Sequence, residues 1–332
     1  MLRSRIFTFL LFIFLLSELT QSQQLFFSEP FANTYSIVAR DTVTGEMGVA
    51  VQSHWFSVGT VVSWAEAGVG AVATQSFVNV SFGKRGLELL KDGKSPQEAL
   101  DILLSDDESK DVRQVAIIDT KGKVAAHTGE SCIDAAGHIT GNNFSVQANM
   151  MLKNTVWSAM AKAFENSSGP LAARLITALE AAENEGGDIR GKQSAALLVV
   201  KGKSTGKVWE DKLVDIRVDD HSEPLKELKR IYKVHVAYEL MNDGDDAVTE
   251  GDMKLALEKY TEAEKLFPDN LEMKYWHAVT LVENGRLEEA LPLFKKVFSK
   301  DKNWKTLTPR LIKSKLLTVN EDELNRILNV DE

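Results

Sequence analysis

The chain lacks a second cysteine. Cys132 is the one thiol among 332 residues, so no internal disulfide can form and the core has to hold by packing alone. Metal-ligand spacing is missing as well. His54, His127 and His138 fall into no H-x-x-x-H or HExxH pattern, and none is flanked by a carboxylate at ligand distance in sequence, so no metal site is expected. Gly68 and Gly70 make a GxG without the rest of the dinucleotide fingerprint or its downstream acidic partner; the pair reads as sheet packing, and no cofactor is expected. Positive charge is not in excess either. The net charge of −9 argues against nucleic acid and against anionic membrane surfaces as partners.

Apolar runs of bilayer length are also absent. Residues 6–16 are apolar apart from Thr8, follow Arg3 and Arg5, and precede a polar stretch over 17–24, which is the layout of a secretory signal peptide. The run falls short of the ~20 residues that span a bilayer. Thr20 and Ser22 put small residues at the minus-three and minus-one positions, so cleavage is expected after Ser22, leaving a secreted or periplasmic protein without a membrane span. In an oxidising compartment a lone cysteine invites a nucleophile reading, but no base stands beside Cys132 in GESCIDAAGH; a buried or intermolecular thiol is expected. Asn79, Asn143 and Asn166 each begin an N-x-Ser sequon, which carries meaning only in a source that glycosylates.

What is there is an ordinary globular composition, 44% hydrophobic and 26% charged, with length enough for two domains. Residues 34–53 read as one β-hairpin, with strands over 34–40 and 47–51 about a turn containing Gly45. Further strands are expected over 60–65, 69–74, 112–119, 123–127, 144–150 and 194–201, with Trp209 and residues 213–218 finishing the sheet. Residues 194–201 are apolar on both faces, as in an interior strand. Helices are expected over 82–91, 153–165 and 169–185. Another begins at Ser95, where Ser95 and Glu98 form a capping box with Pro96 at the first helical position.

Several stretches resemble one family: TYSIVARD over 34–41, GVAVQSHWFSVG over 48–59, AGVGAVATQSFVNVSFGKRGLELL over 67–90, RQVAIIDTKGKVAAHTG over 113–129, GNNFSVQANM over 141–150 and GGDIRGKQSAALLVV over 186–200. They look like the bacterial and archaeal domain of unknown function 1028 family, itself similar to the N-terminal nucleophile hydrolases. The resemblance implies an α+β fold, a four-layer αββα sandwich over residues 34–218; residues 23–33 would then be a short leader between the expected signal cleavage and Thr34. The resemblance also implies a nucleophile. Many members of the family resemble a chain starting Met then Thr, which makes Thr34 the residue exposed when the leader goes. Relatives of this fold often assemble, so a homo-oligomer is one expectation.

A Thr at a mature N-terminus attacks a carbonyl with its hydroxyl while its own α-amine, titrating near ~7.7–8.0, takes the proton. An amine acylated by Asn33 cannot do this, so the mechanism requires a cut between Asn33 and Thr34. The bland alternative is a β-branched residue opening a strand. Gln52, Ser53 and Gln75 are the further candidates for orienting the nucleophile or donating to an oxyanion. Gln52 and Ser53 stand where proteasome-like members carry an acidic residue, and VVSWAEAG over 61–68 lacks the lysine of such enzymes, two departures that leave the charge relay uncarried. Gln147, Asn149, Asp188, Arg190 and Gln193 are polar residues inside or beside apolar strands and are candidates for binding a small polar or amide substrate. Arg190 is suited to a substrate carboxylate. Each also has a structural alternative, as a strand-end cap or, for Asp188 with Arg190, a surface ion pair.

From Asp219 the composition turns charged and helical. Gly251, Ala256, Tyr260 and Ala263 recur as Gly285, Ala290, Phe294 and Val297, each 34 positions on, the period of the tetratricopeptide repeat. Leu240, Gly244 and Ala247 match Lys274, Ala278 and Leu281 less closely, and flanking helices are expected over 225–236 and 322–328. An all-α repeat domain over 219–332 is expected, binding a protein or peptide partner or packing on the first domain. Two functions therefore stand open: a secreted amide hydrolase, and a catalytically silent ligand-binding sandwich with a docking module.

Overall fold

A computed structural model describes residues 31–32 and 34–330. The signal peptide expected over 1–22, and the leader expected over 23–33 apart from Phe31 and Ala32, lie outside the described residues. The chain divides into two units, Met1–Lys229 and Arg230–Glu332.

In the first unit, eleven strands among the described residues form two antiparallel sheets: β1 (Phe31–Ala32), β2 (Thr34–Arg40), β3 (Met47–Ser53), β4 (Ser63–Glu66), β5 (Gly70–Phe77), β6 (Arg113–Asp119), β7 (Val124–Thr128), β8 (Gly137–Gly141), β9 (Phe144–Ala148), β10 (Ser194–Val200) and β11 (Lys212–Val218). One sheet runs β1-β5-β6-β7, and β4 and β1 share the same edge of β5. The other runs β11-β10-β3-β2-β9-β8. A single turn, α1 (Gly59–Val62), joins β3 to β4. Helices α2 (Ser81–Lys91) and α3 (Pro96–Ser105) cover the first sheet, while α4 (Val156–Glu165) and α5 (Leu171–Asn184) cover the second. The two sheets face each other, so the layers are α, β, β, α as the resemblance implied.

The two-residue period of a strand explains why every central strand is apolar on both sides. Val38, Val49 and Val51 of the second sheet point inward onto Ala71, Ala73, Ala116 and Ile118 of the first. On the outer face the second sheet meets α4 and α5, where Phe144 and Phe164 lie 5.0 Å apart. Helix α3 opens with the expected capping box, in which Ser95 Oγ accepts from the Glu98 amide and the Glu98 carboxylate accepts from the Ser95 amide.

Three local readings differ from the sequence expectation. Residues 60–65 do not form one strand: the β-branched run enters as α1, where Thr60 N–H donates to the Ser57 carbonyl, and Gly59 lies so close to Ala196 that a Cβ would sit 2.4 Å from it. Close packing overrides β-propensity there. Trp209 does not finish the sheet but stands exposed on the short α6 (Val208–Asp211), leaving β11 to close it. Strand β8 had no signal, since GHITG carries one apolar side chain, Ile139. Cys132 is buried, with Sγ donating to the Arg113 carbonyl at 3.4 Å.

The division between units falls within α7 (Pro224–Glu250), one 27-residue helix where two shorter elements were expected. After it come α8 (Met253–Leu266), α9 (Leu271–Glu283), α10 (Leu287–Lys300), α11 (Lys302–Leu307), α12 (Arg310–Lys313) and α13 (Glu321–Leu328). Gly251 and Gly285 take φ values of +80° and +70° in the turns before α8 and α10, where glycine adopts the left-handed region at no steric cost. The repeating Ala256, Tyr260 and Ala263, and their counterparts Ala290, Phe294 and Val297, are all buried. Among the described residues no helix is long and apolar enough to cross a membrane.

Candidate functional site

The inner faces of the two sheets are apolar over most of their length and turn polar at one end. Thr34, Ser53 and Ser194 lie side by side there across β2, β3 and β10, all fully buried. Strand alternation puts Ser36 on the same face, and pairing puts Gln147 beside it. From the opposite sheet Gln75 of β5 and Gln114 of β6 meet them, themselves a cross-strand pair.

Ser36, Gln75, Gln114 and Gln147, with Asn149, form one hydrogen-bonded network around Thr34, while Ser194 Oγ donates instead to the Trp55 carbonyl. The carbonyl oxygen of Thr34 accepts from Gln75 Nε2 at 3.2 Å, from the Asn149 amide at 3.1 Å and from Asn149 Nδ2 at 3.5 Å. Its hydroxyl is turned back along the chain and donates to the carbonyl of Ala32 at 2.7 Å. Gln75 Nε2 also donates to Gln114 Oε1 at 2.6 Å, and Asn149 Nδ2 donates to the same oxygen at 2.9 Å. On its other side Gln75 accepts from Ser36 Oγ at 2.6 Å, which accepts from Gln147 Nε2 at 2.6 Å. A buried polar atom left unsatisfied costs about 1–3 kcal/mol; most of this group is satisfied by bonds among its own members, and Asn149 Oδ1 is the network atom left without a partner among the described residues.

The backbone at this end is strained in a pattern. Gln75 and Asn149, the two residues that donate to Thr34, are each followed by a non-glycine in the left-handed region, Ser76 at φ +73° and Met150 at φ +56°. Such conformations cost on the order of 1–3 kcal/mol each and gather at functional sites. Each distorted residue therefore directly follows a donor to the same carbonyl.

The remaining candidates lie elsewhere. Gln52 pairs with Tyr35, on the outer face opposite to Thr34. Its side-chain oxygen touches the Tyr35 hydroxyl, which also donates to Glu183 Oε2 at 2.6 Å. Burial, then the Glu183 charge, raises the Tyr35 phenol well above its usual range. Asp188 and Arg190 sit in the loop before β10 and bind each other, with Arg190 Nη2 donating to Asp188 Oδ2 at 2.7 Å. The Asp188 side chain is closed to solvent and Arg190 is one quarter exposed; the carboxylate also accepts the His54 amide at 3.1 Å, stapling the loop to the end of β3. Gln193 donates to Asp220 Oδ1 at 3.1 Å on the exposed side. Thus Thr34, Ser53, Gln75, Gln147 and Asn149 are brought together, while Gln52, Asp188, Arg190 and Gln193 are not on their face.

Four members of the network carried no sequence signal: Ser36, Gln114, Thr128 and His138. Gln114 Nε2 donates to Thr128 Oγ1 at 2.9 Å and to the Ala148 carbonyl at 2.9 Å, and Thr128 Oγ1 lies 2.8 Å from His138 Nδ1. His138 and Thr128 line a cleft of about 630 Å³ at the edge where β7 and β8 meet, with Cys132, Asp134, Asn154 and Trp157 also on its walls. Burial lowers the affinity of His138 for a proton, and His127 adds to this; burial raises the Cys132 thiol against weaker opposing hydrogen bonds. Both groups are neutral near pH 7. The only available signal was alternation itself, which marks Gln114 and Thr128 as inward polar positions once their strands are paired.

Comparison with known proteins follows the same division of the chain. A family model described as "Family of unknown function (DUF1028)" matches residues 34–228, and a tetratricopeptide repeat model matches residues 247–308. Among solved structures the chain is similar to protein SPO2555 from Silicibacter pomeroyi, of family model DUF1028, at 32% identity and a TM-score of 0.55, covering 60% of this chain and 88% of that one. Anbu (ancestral beta-subunit) from Yersinia bercovieri aligns at 10% identity and a TM-score of 0.32, over 60% of this chain and 93% of its own. No curated protein matches.

Proposed function

We propose, for a chain that belongs to the family of unknown function DUF1028, that it is a secreted hydrolase of the N-terminal nucleophile type, cutting amide bonds with Thr34 once the leader has been removed. The observation that carries this reading is the convergence on Thr34: three N–H groups hold its carbonyl, both residues that supply them precede strained positions, and its hydroxyl is turned back onto the Ala32 carbonyl. Groups held this firmly cost no reorganisation during reaction.

The steps balance with water alone. The Thr34 hydroxyl adds to the Asn33 carbonyl carbon, the peptide C–N bond breaks, and an ester forms as the α-amine is released. Water cleaves the ester, leaving an Asn33 carboxylate on the leader and a free amine on Thr34. With a substrate amide the freed amine takes the hydroxyl proton as Oγ adds, hands it to the departing amine, and a second water resolves the acyl-enzyme. Departure of the leader also frees the edge of β5 at Ser76 and Phe77, which β1 occupies in the intact chain, beside the reacting hydroxyl. The repeats would then recruit a partner or a substrate protein, the use to which such repeats are generally put.

One observation favours the silent ligand-binding reading. Among the described residues the side chains bonded around Thr34 are amides and hydroxyls, where proteasome-like members use acidic and lysine partners. The two readings part at the N-terminus. Intact mass and N-terminal sequencing of protein from its native host should give a chain beginning at Thr34 in the wild type and a longer chain in Thr34→Ala. A leader retained in both would leave the amine acylated and would transfer the site to the binding reading.

A further inference from the structure

We propose that His138 is a positioning residue for Thr34, acting through Thr128 and Gln114 from the wall of the cleft between β7 and β8. It deepens the reading of Thr34 as nucleophile and rests on it for its relevance to catalysis; the hydrogen-bond coupling itself stands apart from that reading.

The direction of each bond follows from the donors available. Gln114 Oε1 faces two amide nitrogens, those of Gln75 and Asn149, so the Gln114 amide is oriented with Nε2 toward Thr128. Thr128 Oγ1 accepts that N–H and lies 2.8 Å from His138 Nδ1, to which it gives its own proton when the imidazole is neutral with its proton on Nε2. Burial favours that neutral imidazole. Four links thus run from the cleft to the Thr34 carbonyl: His138, Thr128, Gln114 and Gln75. Protonating Nδ1 turns an acceptor into a donor, so Thr128 Oγ1 receives two N–H groups and its own proton loses its partner. The bond from Gln114 weakens, and the support of Gln75 on Thr34 weakens with it.

Titratable groups facing His138 come from two directions. His127 lies next to Thr128 on β7, and Glu130, Cys132 and Asp134 lie in the segment that leads into β8; the turn before α4 contributes the uncharged Asn154, and α4 itself Trp157. Burial, and after it His127, oppose a cation on His138.

The test is a pH titration of the full chain by NMR, following the imidazole of His138, the side-chain amides of Gln114 and Gln75, and the Thr34 carbonyl carbon. All four should share one midpoint in the wild type. In Thr128→Val the His138 titration should persist while the Gln75 and Thr34 signals lose their dependence on it; in His138→Gln the shared step should vanish. Flat Gln75 and Thr34 signals through the His138 midpoint, or coupling that survives Thr128→Val, would overturn the proposal, and the wild-type titration decides even where a variant fails to fold. Leader removal supplies the second readout: its rate should fall in the wild type as pH drops through the His138 midpoint, and His138→Gln should lack that limb and be slower by roughly ten- to a hundredfold. Were no leader removed by the wild type, the Thr34 reading would fall while the NMR result still decides the coupling.

Discussion

Arg113 keeps its charge with a side chain only 2% exposed. Its Nε donates to Asp107 Oδ2 at 2.7 Å, its Nη1 to the Phe77 carbonyl at 2.7 Å, and Asp107 also accepts the Ser109 amide at 2.8 Å. Burial pushes the Asp107 carboxyl up, but Arg113 and Ser109 outweigh it and the net shift is downward. Removing one partner strands the other charge, so Asp107→Ala is expected to cost about 3–5 kcal/mol, read from urea midpoints near pH 7. The sign of the pH dependence follows. A carboxyl whose folded pKa is depressed stabilises the fold above its unfolded value near ~3.9, and that contribution is lost as pH falls through the folded value. His138 adds an earlier step of the same sign: its folded pKa is also depressed, so the unfolded chain binds the proton first and stability begins to fall below about 6.5. Urea midpoints against pH should show both steps, the first absent in His138→Gln and the second in Asp107→Ala. At this scale the sequence was informative in proportion to locality. Thr34, Gln75 and Asn149 were visible as polar residues at strand ends, whereas His138 and Gln114 meet only after strands from two sheets are paired, and no single strand carries that register.

Helix α2 shows what patterning reveals of an element and what it hides. Leu87, Leu89 and Leu90 announce a helix over 82–91, and the observed Ser81–Lys91 agrees. Its seat on the sheet depends on Gly83 instead, where an added Cβ would lie 2.2 Å from the Trp64 ring. Trp64 is itself held, its indole N–H donating to the Val61 carbonyl at 3.0 Å. Gly83→Ala gains helix propensity in the unfolded comparison and must still displace the ring, so a net loss of about 1–3 kcal/mol is expected, measurable as a lowered thermal midpoint. Trp64→Leu in the same background should recover part of that loss, because the clash is with the ring. A strand read over 60–65 missed this contact for a physical reason: the turn at Gly59 and the glycine face of α2 are both set by what lies across the layer, and hydropathy along one segment holds no record of it. The capping box at Ser95, by contrast, is formed within four residues and was legible in full.

Across the whole molecule the two units differ in how their cores are closed. Pairing and two helical layers cover the two sheets of the sandwich among the described residues. The repeat unit has two clear repeats, and a stack of this kind needs about three units or a cap to bury its last face. In this chain α11–α13 do that work. Leu311, Leu317 and Ile327 are buried in one apolar cluster with Phe294, Val297 and Phe298 of α10, and Tyr275 of α9 donates to or accepts from Thr308 at 3.1 Å. The 34-residue period could not reveal this cap, because a cap is by nature the part that does not repeat. A chain ending at residue 300 therefore uncovers the α10 side of the last repeat. Its helical signal in far-ultraviolet circular dichroism should melt over a broad range well below the wild-type transition, and a dye for exposed apolar surface should bind it. Retention of a sharp helical transition in that truncated chain would mean that two repeats suffice and that α11–α13 are present for another purpose.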